Sequence, residues 1–332
     1  MVNFRYHIIS IVAVFLALGI GVVMGSAVID QTVVDTLKEQ QGSINERVDQ
    51  VVVENGDLRT NLSDLQGRSK QLADEGSERL LAGTLAEVPV LVLAVRGVES
   101  EGLDDLVNLL GTAEADYQGT LWFTSRFVLD KAEDRRDLAR VLGQSDQLPA
   151  SVLRTAAIGR LTDALAAGAS AEPRSVPVGQ AAGPPAQPTL GSATIAELRE
   201  AGFVDYDAPD GAPEGTAGLA APGTRMVLVA GPNAVVADAL LALPVARALV
   251  GEGNEARVAV LAAEAFAAGD GKRGEFTEAL QADDVRSLQL STVNDIDDFA
   301  GRLAAVLALQ DLGEGRVGHY GRGARLIPAP AG

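Results

Sequence analysis

The residue types that could hold a soft metal or attack a substrate are almost missing from this chain. Among 332 residues there is no cysteine, and the only histidines and methionines are His7, His319, Met1, Met24 and Met226. Thiol nucleophiles, disulfide scaffolds and thiolate metal sites are therefore excluded, and the imidazole and thioether groups that softer metals select are scarce. No Gly-x-Ser-x-Gly turn is present. With His319 the single candidate base outside the amino terminus, a nucleophilic triad cannot be assembled. The glycines at Gly97 and Gly102 lack the Gly-Lys-Ser/Thr that would complete a phosphate loop, and no Gly-x-Gly-x-x-Gly occurs. Both observations leave a nucleotide-binding enzyme as the most remote alternative, with no catalytic residue assigned. The acidic run Asn294, Asp295, Asp297 and Asp298 lacks the spaced ligands of a calcium loop and reads instead as a helix start ahead of Phe299, Leu303, Val306 and Leu307. Asp plus Glu outnumber Lys plus Arg by 45 to 27, a net charge of -18 that sets nucleic acid aside as a partner.

What must position any site begins at the amino terminus. Ile8 to Ile29 carry no charge, and at 1.5 Å per residue such a helix covers a hydrocarbon core of ~30 Å. The spacing predicts a membrane anchor over 1–30. The competing reading is a cleaved signal peptide ending near Gly25, Ser26 and Ala27, against which the apolar stretch is long. Arg5 before the span and Asp30, Asp35 and Glu39 after it predict a cytoplasmic amino terminus and an extracytoplasmic remainder. Ala17, Gly21 and Gly25 recur every four residues, a stripe that would let helices approach closely in lipid.

Over 31–84 a heptad follows. With Val34 at position a, the d positions are Leu37, Ile44, Val51, Leu58, Leu65 and Leu72, and the a positions include Val48, Asn55 and Leu62. A narrow seam of this kind predicts a parallel two-stranded coil, with Asn55 fixing register and Glu54 and Arg59 bridging the two chains. A single amphipathic helix folded against a globular domain is the alternative. Gly76 and Gly83 mark where the stalk frays and ends.

The region 85–312 reads as βαβ units. Val90 to Val95 is a buried strand, Leu103 to Leu110 a helix and Thr120 to Thr124 a second strand. Met226 to Ala230 precedes a helix over Val235 to Val250, Val258 to Leu261 precedes one near Phe276 to Leu280, and a last strand falls near Leu288 to Leu290. Helical pieces cover Asp134 to Ala167 and Ile195 to Ala201, and Pro/Gly-rich insertions lie near 171–191 and 208–224. The predicted fold class is α/β: an N-terminal transmembrane helix, a long parallel coiled-coil helix, then a Rossmann-like, mostly parallel sheet with flanking helices.

The tail, 313–332, is basic and rich in glycine, with Arg316, Arg322 and Arg325 beside His319 and Tyr320. It either docks on its own sheet, receives a partner through Arg316, His319, Tyr320 and Arg322, or stays free in solution.

Two stretches carry a resemblance. Asn3-Phe4-Arg5-Tyr6-His7-Ile8-Ile9-Ser10 running into Ala13 to Gly21 is similar to the opening of the actinobacterial MctB family of copper transport outer-membrane proteins. Ser291-Thr292-Val293 through Leu309, and Gly318-His319-Tyr320-Gly321, resemble that family too. The resemblance implies a copper role and an outer-membrane location. A related likeness, to the envelope protein SteB, implies a partner, SteA, in cell separation. The residues themselves call for no cofactor, copper being implied by the resemblance alone. A pore would need a closed barrel or several spanning helices, whereas one span is legible here. Two expectations follow: metal transport, for which His319 is the one head imidazole, or a dimeric anchored scaffold that binds an envelope partner.

Overall fold

The computed structural model describes residues 4–170, 190–209, 219–251, 258–266, 274–282 and 289–322. Much of the two Pro/Gly-rich insertions, Arg325 and the rest of 323–332, and the side chains of Leu37, Leu58, Leu62, Leu65 and Leu72 lie outside the described residues. The chain divides into two compact units, Met1–Gln71 and Leu72–Gly332.

The first unit is helical: α1 runs without a break from Phe4 to Leu81. Its stretch Arg5–Gly25 is the one helix, among the described residues, long and apolar enough to cross a membrane. Every described side chain there is exposed, as an element solvated by lipid would be. Gly42, Gly56, Gly67 and Gly76 do not interrupt the helix, and it passes Gly76, where fraying is expected, to end at Leu81. Gly83, in the left-handed region at φ +72°, turns the chain out of it.

The second unit is built on a seven-stranded sheet in the order β3-β2-β1-β4-β5-β6-β7. Its strands are β1 (Pro89–Val95), β2 (Asp116–Phe123), β3 (Val204–Asp207), β4 (Arg225–Ala230), β5 (Val260–Glu264), β6 (Ser291–Val293) and β7 (His319–Tyr320). All neighbouring pairs are parallel except β2 with β3. Helices follow the strands: α2 (Ser100–Thr112), α3 (Ala132–Leu142), α4 (Ala150–Ala169), α5 (Leu190–Glu200), α6 (Ala242–Val250), α7 (Glu275–Gln281) and α8 (Phe299–Gly313). One layer joins α2 to α8, and in the other α4 gathers α3, α5 and α6. Covered from both sides, β1 and β4 are buried beyond their first residue, which is why they read as unbroken Val, Leu and Ala rather than as an alternation. Leu81 and Leu85, at the end of α1 and just beyond it, belong to the same core.

Several boundaries differ from the sequence reading. The helix expected from Val235 begins only at Ala242. Pro244 explains this: it fits the first turn, but deeper in a helix it would remove a donor and collide with the preceding turn. The last apolar strand lies at Ser291–Val293 rather than 288–290. The helical piece from Asp134 is two helices, separated at Gly143, whose φ of +61° ends α3. The antiparallel β3, with Asp205 and Asp207 on four residues, lacks an apolar run and was not legible.

The order 2-1-4-5 reverses direction between β1 and β4, the place where open α/β sheets hold ligands beyond their carboxyl ends. Here the chain's own loops fill that place. Val235 N donates to Arg96 O at 2.7 Å, and Gly97, at φ +92°, lies so close that a Cβ would stand 2.4 Å from Asn233 O. Gly231 seals the next position, where a Cβ would be 2.1 Å from Ala265 O. Replacing Gly97→Ala adds left-handed strain to a backbone collision and is expected to cost about 2–4 kcal/mol, read as a lower midpoint of thermal unfolding.

Candidate functional site

The sequence motif around His319 becomes a docking device at the edge of the sheet. β7 lies parallel to β6, with Thr292 opposite His319 and Val293 opposite Tyr320. Thr292 N donates to Gly318 O at 3.0 Å, and Gly318 N donates to Ser291 Oγ at 3.1 Å. Just beyond, the Asn294 amide brackets one residue of the tail: Nδ2 donates to Arg322 O at 3.0 Å while Oδ1 accepts from Arg322 N at 2.9 Å. The two glycines of Gly318-His319-Tyr320-Gly321 are required by contact. A Cβ on Gly318 would meet Tyr320 Oη at 2.0 Å, and one on Gly321, at φ +113°, would meet Asn294 Oδ1 at 2.0 Å.

The four residues assigned to partner binding are placed differently from one another. Tyr320 is 5% exposed and part of the core. His319 is partly buried, its Nδ1 3.0 Å from Thr292 Oγ1, and that oxygen also accepts from Gln281 Nε2 at 2.7 Å. The Thr292 hydroxyl therefore links the Gln281 amide to the imidazole ring across the edge of the sheet. Arg316 is tied to Asp311 and Glu314. Its guanidinium pKa is raised, first by the Asp311 hydrogen bond. Arg322 is the most open of the four, its side chain 60% exposed and 3.6 Å from Asp298. Asp298 occupies the N-cap position of α8, as the acidic run predicts, although its carboxylate makes no capping bond to the first turn.

A second polar group sits at the carboxyl end of β5. Glu264 is buried, accepting from Gly274 N at 2.7 Å and Thr277 Oγ1 at 3.4 Å. Asp238, in the loop after β4, keeps a buried Oδ1 without a hydrogen bond. Burial, and then the charges of Glu264 and Glu275, push the Asp238 carboxyl up to about 7. Neither residue was singled out from sequence, although Glu264 is the only charge closing its apolar strand. Beside β2, Arg126 reaches Asp134 at 2.6 Å and Asp137 at 2.7 Å and lies over the Phe203 ring, bordering a depression of about 450 Å³. Phe203, Phe127 and Phe123 stack edge to face beneath it, with centroids 5.5 and 5.6 Å apart. No group of three or more His, Cys, Asp or Glu side chains is placed to hold a metal among the described residues.

A single apolar helix at the amino terminus and a mostly parallel α/β head, its last strand clipped on by a glycine motif, define a membrane-associated protein of mixed α/β class. The family model described as "Copper transport outer membrane protein, MctB" matches residues 1–328, and the chain belongs to that family. Similar proteins include the copper transporter MctB of Mycobacterium tuberculosis, 27% identical over 97% of both chains, and that of Mycobacterium leprae, 26% identical over 99% of this chain and all of the relative.

Two outcomes follow from this geometry. Replacing Asn294→Ala removes both bonds to Arg322, so the Arg322 amide is expected to exchange its hydrogen at least about tenfold faster while the β1 and β4 amides stay protected. Asp238 binds its proton more tightly folded than unfolded, so its contribution to stability falls as pH rises from the ordinary carboxylate range towards 7. Asp238→Asn is therefore expected to gain roughly 1–2 kcal/mol at pH 8, after allowance for partial exposure, and little at pH 4. Thermal unfolding at the two pH values reads the difference.

Proposed function

We propose that this member of the MctB family serves copper homeostasis in the cell envelope as an anchored scaffold that presents its head to a protein partner, rather than as a pore or a copper-binding protein. The observation that carries this reading is the state of the soft ligands. His319, the one histidine outside the amino-terminal helix, shares its Nδ1 with Thr292, and Met226 is fully buried inside β4. Cysteine is absent. What remains beyond the amino-terminal helix is carboxylate and carbonyl oxygen, which suits hard cations rather than copper in its reduced state. One apolar helix supports an anchor, whereas a conduit built from helices would need several.

The span's flanking charges favour a cytoplasmic amino terminus with the head outside, and the family description favours the outer membrane. A partner of the SteA type is compatible with the same architecture, and the exposed Arg322 guanidinium offers it a charged contact.

The test is a competition titration of the full chain in detergent with copper(I) against a chelator. No stoichiometric binding is expected, and His319→Ala is expected to behave as the parent does. One tight equivalent of copper, lost in His319→Ala, would overturn the scaffold reading in favour of direct handling of the metal.

A further inference from the structure

The helix α1 carries two features that both favour close approach of another helix, and its continuity decides how they relate. One is the stripe Ala17, Gly21 and Gly25 inside the apolar span, and the other is the heptad seam beyond it. In the described part of that seam Ile44, Val48 and Val51 are 58%, 54% and 53% exposed. Asn55, next along it, returns its amide to Val51 O at 3.0 Å.

Because α1 is unbroken from Phe4 to Leu81, angles can be counted along it. Twenty-seven residues separate Gly21 from Val48, seven and a half turns, so the two point about 180° apart. Ala17 and Gly25 lie about 40° to either side of Gly21. By the same count Val23 falls within about 20° of Val48. The small-residue stripe and the seam cannot both face one neighbour.

We infer that a second copy of this chain packs in parallel along the seam face of α1, which carries Val23, Ile44, Val48, Val51 and Asn55, and that Ala17, Gly21 and Gly25 point away from it. The inference rests on the anchored reading above. Two copies inserted the same way into one bilayer must run parallel, which removes the antiparallel alternative. Charge agrees: Glu54 at g faces the oppositely charged Arg59 at the next e of the partner, and no g and e pair in the parallel register from Gln40 to Ala73 brings like charges together. Aliphatic side chains more than half exposed on a solvated helix are the surface such a neighbour covers, and two Asn55 amides would meet across the seam.

The chain has no cysteine, so single introduced thiols report on one position each. Full-length chain carrying Val51→Cys, Val23→Cys or Gly21→Cys is oxidised in isolated membranes and the covalent dimer is quantified on non-reducing gels. Val51→Cys is expected to convert roughly half of the protein or more, as thiols facing across a seam lie within disulfide reach. Val23→Cys is expected to link more than Gly21→Cys, two residues away at nearly the same depth. Absence of linkage at Val51, or linkage at Gly21 equal to or greater than at Val23, overturns the inference. Fractionation keeps the two readings apart. Chain that does not sediment with membranes defeats the anchor, whereas chain that sediments and stays unlinked at Val51 defeats the pairing alone.

Discussion

The second unit depends on the parallel pairing of β1 with β4. That pair brings segments more than a hundred residues apart into register, Val90 against Arg225 through Ala94 against Val229. Parallel strands leave no room for a hairpin, so the chain between them has to cross over the sheet, and it does so through α2 to α5 with β2 and β3 added at one edge. The burial of both strands follows, and so does the crowding at their carboxyl ends. The loops after β1, β4 and β5 meet over a small area, and they do so at Gly97 and Gly231, where even one extra carbon would strike a carbonyl. The crevice that other sheets of this kind keep open is spent here on closing the molecule.

Much of this was legible because the signals were long. The apolar span and the runs at Val90 to Val95 and Met226 to Ala230 follow from composition and periodicity over many residues. What escaped was short and polar. β3 is four residues with two aspartates, and its strand character comes from pairing with β2 rather than from its own side chains. β7 is two residues, and it exists because Ser291, Asn294 and two glycines shape an edge that accepts it. The motif Gly318-His319-Tyr320-Gly321 was conspicuous in the sequence, yet its geometry serves docking of the tail, with Tyr320 turned inwards. Asn294 stood inside a run that reads as acidic, and nothing in its spacing announced a clamp on residue 322. The influence of Glu264 on Asp238 could not be read from sequence, since only the β4–β5 register brings the end of β5 near the loop after β4.

Family membership and the chemistry of the chain point to different levels of description. The family is described by copper transport. Ligand softness concerns atoms, and the atoms here are oxygens, one partly buried imidazole and one buried thioether in the head. An anchored protein that acts through another satisfies both levels, because a role in moving an ion does not require the same polypeptide to ligate it. The helix α1 is compatible with that view: Ile44, Val48 and Val51 beyond the apolar stretch are each more than half exposed.

One edge of the head has a bearing on life at high density. At β3 the Asp205 carboxylate turns back to accept the amide of Tyr206 at 2.9 Å, while Arg96 and Trp122 hold Asp205 and Asp207 from the side. Anchoring confines molecules to two dimensions, where collisions between bare strand edges would seed aggregates. A short border that carries negative charge and has satisfied one of its own donors makes sheet-to-sheet pairing at this edge unproductive, even for heads held close together.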